Sequence, residues 1–199
     1  MTHTILCLPK RVRTLMIVLI GAISLTAVAA EAQSGTAEFE IRKDSSRPHN
    51  PYYVRGKVII AAPREQVWSV LTDCSALTDI VPQIKSCDVE QKGEHWDIRR
   101  HKLKSGLFNV TSVLRSDYVH LEKVTMRRVA GGMKVHDGVW TLNPVSADVT
   151  ELHYEAWSKP NFWVPDWMIN KIMRKDVPII LANLRVAAEH AQRTQLSHG

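Results

Sequence analysis

The sequence predicts an α+β fold in which one curved antiparallel sheet wraps around a long C-terminal helix. Strand-like segments fill most of the stretch from Tyr52 to Ser158. Turn residues, with no helical pattern between them, separate these segments, which favours an antiparallel meander over crossover units. One long amphipathic segment then runs from about Asp166 to Gln192. A helix with a wide apolar stripe needs an apolar surface to lie on, and a curved sheet of six or seven strands supplies one. Such a sheet often leaves a hollow beside the helix, and an apolar hollow is a ligand site.

The chain has 199 residues, enough for one domain and an appendage. The appendage is at the front. Lys10, Arg11 and Arg13 precede an almost purely apolar run of about 16 residues, Leu15 to Ala30. Ala30-Glu31-Ala32 follows, with small residues where a signal peptidase reads. This is the layout of a secretory signal peptide over residues 1–32, with cleavage expected before Gln33 or, at Ala27-Val28-Ala29, before Ala30. The alternative is an uncleaved membrane anchor, for which the run is short against the roughly 20 residues that span a bilayer. The expected location is therefore the periplasm. Three of the 26 Lys and Arg and one of the 20 Asp and Glu fall in the leader, leaving 23 basic against 19 acidic residues. No basic run with interleaved aromatics occurs, which argues against nucleic acid as a partner. Weak attraction to an anionic membrane face stays open.

Residues 33–51 are polar, with one alternating stretch, Ala37-Glu38-Phe39-Glu40-Ile41, that suits a short edge strand. Asp44-Ser45-Ser46-Arg47-Pro48 reads as a loop. The domain proper spans 52–195. Tyr52 to Ala61 reads as a strand. Ala62-Pro63-Arg64-Glu65 opens a helix, with Pro63 in its first turn and Glu65 at the positive end of the dipole. Asp73 and Ser75 are candidate caps for a second short helix ending near Val81, before Pro82. Strands are then expected over 84–91, 95–103, 107–115, 118–127, 135–142 and 150–158. Lys92-Gly93, Ser105-Gly106, Ser116-Asp117, Gly131-Gly132 and Asn143-Pro144 mark the turns. In the last helix Ile169, Ile172, Met173, Val177, Ile180, Leu184, Ala187 and Ala191 recur at helical spacing. Pro178 inside that pattern removes one backbone hydrogen bond and predicts a kink near 174–177.

These residues resemble a known family. The run Ala62-Pro63-Arg64-Glu65-Gln66-Val67-Trp68-Ser69-Val70-Leu71-Thr72-Asp73, followed by Ile80-Val81-Pro82-Gln83-Ile84, is similar to the opening of the START-like superfamily. Within it the resemblance is to the polyketide cyclase/dehydrase and lipid-transport group, which includes coenzyme Q-binding relatives. Gly138-Val139-Trp140-Thr141-Leu142-Asn143-Pro144, Leu152-His153-Tyr154 and Val164-Pro165-Asp166-Trp167 continue it, so that it covers about Ala37 to Ala191. The resemblance implies the helix-grip fold, with a tunnel between sheet and helix. One departure is Cys74, where this group often carries an aromatic residue.

The candidate ligand-binding residues are Leu114, Trp140, Leu142, Tyr154, Ala156, Trp167, Met173, Val177 and Ile180. Trp140, Leu142, Tyr154 and Ala156 fall on matching alternations of neighbouring strands; ordinary core packing is the alternative. The Tyr154 hydroxyl is a candidate contact for a ligand head group. Phe162, Trp163 and Val164 suit a gate or a wedge that rests in a membrane interface. Trp167 alternatively staples the helix start to the sheet. Cys74 and Cys87 are free to pair in an oxidising compartment, or to remain buried thiols.

No metal or cofactor is expected. His95, His101, His120, His136 and His153 lack metal-ligand spacing, and exposed strand positions are expected for them. No Ser sits in a Gly-x-Ser-x-Gly setting, so no catalytic residue is assigned. Asp97, His120, Glu122 and His136 would act as acid and base only if strands turned them inward. With Val119 and Leu121 expected inside, His120 and Glu122 should face solvent. Among Arg99, Arg100, Arg127, Arg128, Lys171, Arg174 and Lys175, one buried arginine would form a head-group site. The expected function is binding, and by extension transport, of a small hydrophobic molecule such as a lipid or isoprenoid, without chemistry. The alternatives are a cyclase or dehydratase using the same tunnel, and an interaction module with a closed cavity.

Overall fold

The structure, a computed structural model, describes residues 37–105 and 108–198. The leader over 1–32 and the turn at Gly106 lie outside these residues. In chain order the described elements are β1 (Glu38–Lys43), β2 (Tyr52–Ile60), α1 (Arg64–Thr72), α2 (Leu77–Ile80), β3 (Ile84–Lys92), β4 (Trp96–Ser105), β5 (Phe108–Val119), β6 (Lys123–Gly131), β7 (Met133–Ser146), β8 (Val149–Pro160) and α3 (Asp166–His198). The strands form one antiparallel sheet in the order β1-β2-β8-β7-β6-β5-β4-β3. β3 to β8 are the expected meander. β2 returns to pair with β8, and β1 adds an edge.

This long-range closure lets α3 reach β1, β2, α1 and α2. Its apolar stripe is buried through Val177, Leu181, Leu184 and Ala188, against Val54, Val58, Ile60 and Leu152 of the sheet. Each fully buried aliphatic side chain contributes about 1.5–3 kcal/mol of transfer free energy. Helix and sheet approach closely at Gly56, where an added Cβ would lie 2.9 Å from the Leu181 Cδ1. Glycine there removes the side chain that would hold α3 off the sheet.

Several local expectations change. β5 does not end at Ser116-Asp117 but runs on to Val119, and the chain turns at residues 120–122, with Leu121 at φ 59°. Alternation then puts Ser116 and Tyr118 inside. Val119, 47% exposed, faces out. β7 likewise continues through Asn143-Pro144 to Ser146, with a register shift at Pro144 that accommodates the missing N–H. α2 is a single turn whose cap position is Ala76. The Asp73 carboxylate accepts from the Ser75 N–H (2.8 Å) and hydroxyl (2.7 Å), bracing the turn between α1 and α2. α3 is one continuous helix with Pro178 inside it. Cys74 and Cys87 form a disulfide, Cα atoms 5.5 Å apart, which ties that same turn to β3.

Candidate functional site

An apolar cavity of about 180 Å³ lies between the sheet and the first turns of α3. Leu103 and Val110 form one wall, Met133 and Ser158 the facing one, and Ile172 and Met173 the helical side. Ile169, Ile172 and Met173 follow the i, i+3, i+4 spacing that aligns side chains on one helical face. Along its lining the Phe108 ring lies 5.3 Å from the Phe162 ring, which joins β5 to the loop before α3. A dry apolar cavity of ~150 Å³ already accepts a ring the size of benzene. Loop and aromatic pair therefore border a space large enough to take a short apolar segment as it stands.

Polar groups lie next to this cavity on the same inner face. His101 is two residues before Leu103 on β4, and it sits opposite Ser112 on β5. Ser112 Oγ is 2.7 Å from His136 Nδ1 on β7, and His136 sits opposite Ser158 on β8. The Ser112–His136 bond spans a gap: β6 pairs with β7 only through Lys123–Met126, and its remainder leaves β7 behind. Burial lowers both imidazoles to about 4; for His101 the neighbouring His136 and Arg99 add to the effect. His101 Nε2 is buried with no hydrogen-bond partner among the described residues. An unmade bond of that kind costs about 1–3 kcal/mol.

Deeper on β4, the Arg99 Nε donates to Asp97 Oδ2 at 2.8 Å. Its Nη2 donates to the Tyr118 hydroxyl (2.8 Å) and the Thr72 carbonyl (2.6 Å). Tyr118 in turn donates to Asp97 Oδ2 at 2.7 Å. Burial, then the Asp97 bond, pushes the Tyr118 phenol well above its ordinary value. Arg99 is thus the buried arginine, but its charge is already matched inside the fold. This network borders a separate polar hollow of about 240 Å³ that also touches Trp68 and His120. Among the described residues no cluster of His, Cys, Asp or Glu is arranged to hold a metal ion.

Residues 60–185 match the polyketide cyclase / dehydrase and lipid transport family. The chain belongs to this family. No curated protein shows significant similarity to it. Among solved structures, it is similar to an aromatase/cyclase from Streptomyces sp. R1128 (19% identity, TM-score 0.61, covering 69% of this chain and 93% of that one). It is also similar to the lipid transfer and protein localization domain of human StarD13 (13% identity, TM-score 0.63, covering 77% and 85%). A third is a STAR-related lipid transfer protein from Xanthomonas axonopodis (18% identity, TM-score 0.62, covering 75% and 94%). At these identities the likeness shows the fold, which is the START-like helix-grip.

Within this family member the candidate residues separate into groups. Met173, Phe162 and Val164 border the cavity. Trp140, Leu142 and Val177 lie in the packed core, with Tyr154 and Ile180 against it. Leu114 and Ala156 are buried on the sheet. Trp140 and Tyr154 stack with ring centroids 4.1 Å apart, and burial pushes the Tyr154 phenol up to about 12. The hollow is thus confined to the N-terminal end of α3, because Val177, Leu181 and Leu184 fill the concavity beyond it. Trp167 forms no staple. It is 65% exposed, because the inward face of the first turns belongs to Ile169, Ile172 and Met173. Trp163 is 84% exposed. Of the histidines expected at the surface, His95 and His120 are there, whereas His101 and His136 face inward. Asp97 also turns inward, and His120 and Glu122 do not. Asp97, Arg99 and His101 share the inward alternation of Leu103, which the structure decides and the mixed polarity of β4 conceals.

Proposed function

We propose that this chain binds a small hydrophobic ligand, a lipid or an isoprenoid, and carries it without chemical change. The observation that supports this best is the apolar cavity at the start of α3, bordered by the Phe108–Phe162 pair. Taking an alkyl chain out of water is worth about 0.8 kcal/mol per buried methylene, so even a short segment gives useful affinity. Part of that gain offsets the lost freedom of the bound ligand. A longer chain extends past Phe162 once the loop over 161–165 swings away. The similar StarD13 domain is a lipid transfer and protein localization domain, which is consistent with this role.

The same reading places the mature chain in the periplasm after removal of the leader. It also gives Trp163 and Trp167 a purpose. Both exposed indoles are chain neighbours of the cavity-lining Phe162, Val164 and Ile169, and they would rest in a membrane interface while ligand passes between bilayer and cavity.

The test is direct. The protein, purified without harsh detergent, is examined by native mass spectrometry, and an apolar fluorescent dye is then titrated against it. Co-purified lipid, or saturable dye binding reversed by an added lipid, supports the carrier role. Absence of both refutes it.

A further inference from the structure

His101, Ser112, His136 and Ser158 form a polar belt across the inner wall, one register step from the apolar cavity, and Ser158 alone of the four lines it. The belt is defined by pairing. His101 lies opposite Ser112, His136 lies opposite Ser158, and Ser112 bonds His136 across the gap left by β6. Ser158 itself borders the cavity, as do Leu103 and Val110, the residues two positions from His101 and Ser112 on the same face. Ser112 and His136 satisfy one another. His101 does not share in that bond: it is 6% exposed and its Nε2 has no partner among the described residues. A buried polar atom next to an apolar hollow is a position for a ligand's polar end.

We infer that this belt is a head-group site, and that it takes an uncharged hydroxyl at the buried end of an otherwise apolar ligand. The inference rests on the carrier function proposed above and names the chemistry of what is carried. A hydroxyl both donates and accepts, so it satisfies His101 Nε2 in either tautomer. A carboxylate or phosphate only accepts, and it would have to shed its water beside a belt of neutral groups. The charges nearby do not offer it a free partner. Arg99, two residues before His101 on the same face of β4, is bonded to Asp97, Tyr118 and Thr72. Asp137, beside His136, accepts from the Arg128 N–H and is itself negative. Burial keeps both imidazoles uncharged at neutral pH, in agreement with an uncharged guest.

The experiment compares 1-octanol, nonane and octanoate as displacers of an apolar dye, in the wild type and in His101→Phe and His101→Gln. In the wild type at neutral pH, octanol should outcompete octanoate. His101→Phe should weaken octanol about tenfold, the worth of one buried hydrogen bond, and leave nonane unchanged; His101→Gln, which keeps a donor and an acceptor, should restore octanol. A second measurement needs no variant: with ¹⁵N-labelled histidine, the His101 Nε2 resonance should move on addition of octanol and stay in place with nonane. Equal weakening of octanol and nonane, tighter binding of octanoate, or an unmoved Nε2 resonance with octanol bound would overturn the head-group site while leaving the carrier function standing. Failure of octanol and nonane alike to displace the dye would remove the carrier function beneath it.

Discussion

Phe108 on β5 and Phe162 in the loop before α3 meet with ring centroids 5.3 Å apart, and both rings border the apolar cavity. Phe162 is partly exposed, so it contributes little to the core. Phe162→Ala should therefore speed release of a bound apolar dye by several-fold and shift the midpoint of thermal unfolding only slightly. Stopped-flow dilution reads the first and a melting curve the second. An unchanged release rate would mean that ligand leaves by another path.

Trp163, in the loop before α3, and Trp167, in its first turn, expose large indoles. Indoles favour the headgroup region of a bilayer because one edge is apolar and the N–H stays wet. The double variant Trp163→Ser/Trp167→Ser should lose most of its flotation with phosphatidylglycerol-containing vesicles while keeping its fold by circular dichroism. Full retention of vesicle binding would dissociate these residues from any membrane role.

The Cys74–Cys87 bond joins residues 13 apart and ties the turn after α1 to β3. Closing a loop of that size in the unfolded chain stabilises the fold by about 3 kcal/mol in the chain-entropy account. Reduction, or Cys74→Ala/Cys87→Ala, should lower the urea midpoint accordingly. Equal midpoints with and without reductant would show that the bond contributes no net stability.

His101 and His136 are held near pKa 4 in the fold, below the value of about 6.5 for an unburied imidazole. Between those values the unfolded chain binds the extra protons, so stability rises with pH. Their contribution is complete above pH 6.5 and is lost as the pH falls toward 4, at up to about 1.4 kcal/mol per pH unit for each imidazole. Urea unfolding at a series of pH values should show this slope. In His101→Gln/His136→Gln it should flatten; an identical slope in that variant would assign the acid sensitivity to carboxylates instead.

Much of this architecture is legible from residue patterns. The helical recurrence from Ile169 to Ala187 marks α3, and Pro63 with Glu65 marks the start of α1. Gly93 and Gly131-Gly132 mark turns that the chain does take. Ser116-Asp117 and Asn143-Pro144 looked like turns but lie within strands, because long-range pairing with β4, β6 and β8 outweighs local turn preference. The inner row of β4 was harder to see. Trp96-Asp97-Ile98-Arg99-Arg100-His101 shows no clean alternation of apolar and polar residues, so nothing local says which set faces inward.

What the sequence by itself determined is the order of elements, the antiparallel meander and the apolar stripe of α3, since each follows from short-range periodicity and turn chemistry. What only the tertiary structure decided is where the interior is empty and which polar groups are buried on the same inner face. Val177, Leu181 and Leu184 fill one end of the concavity and leave the other open. The departure of β6 from β7 is what brings Ser112 within reach of His136. Volume left over and partners left unpaired are sums over many distant residues, and no local pattern in the chain carries them.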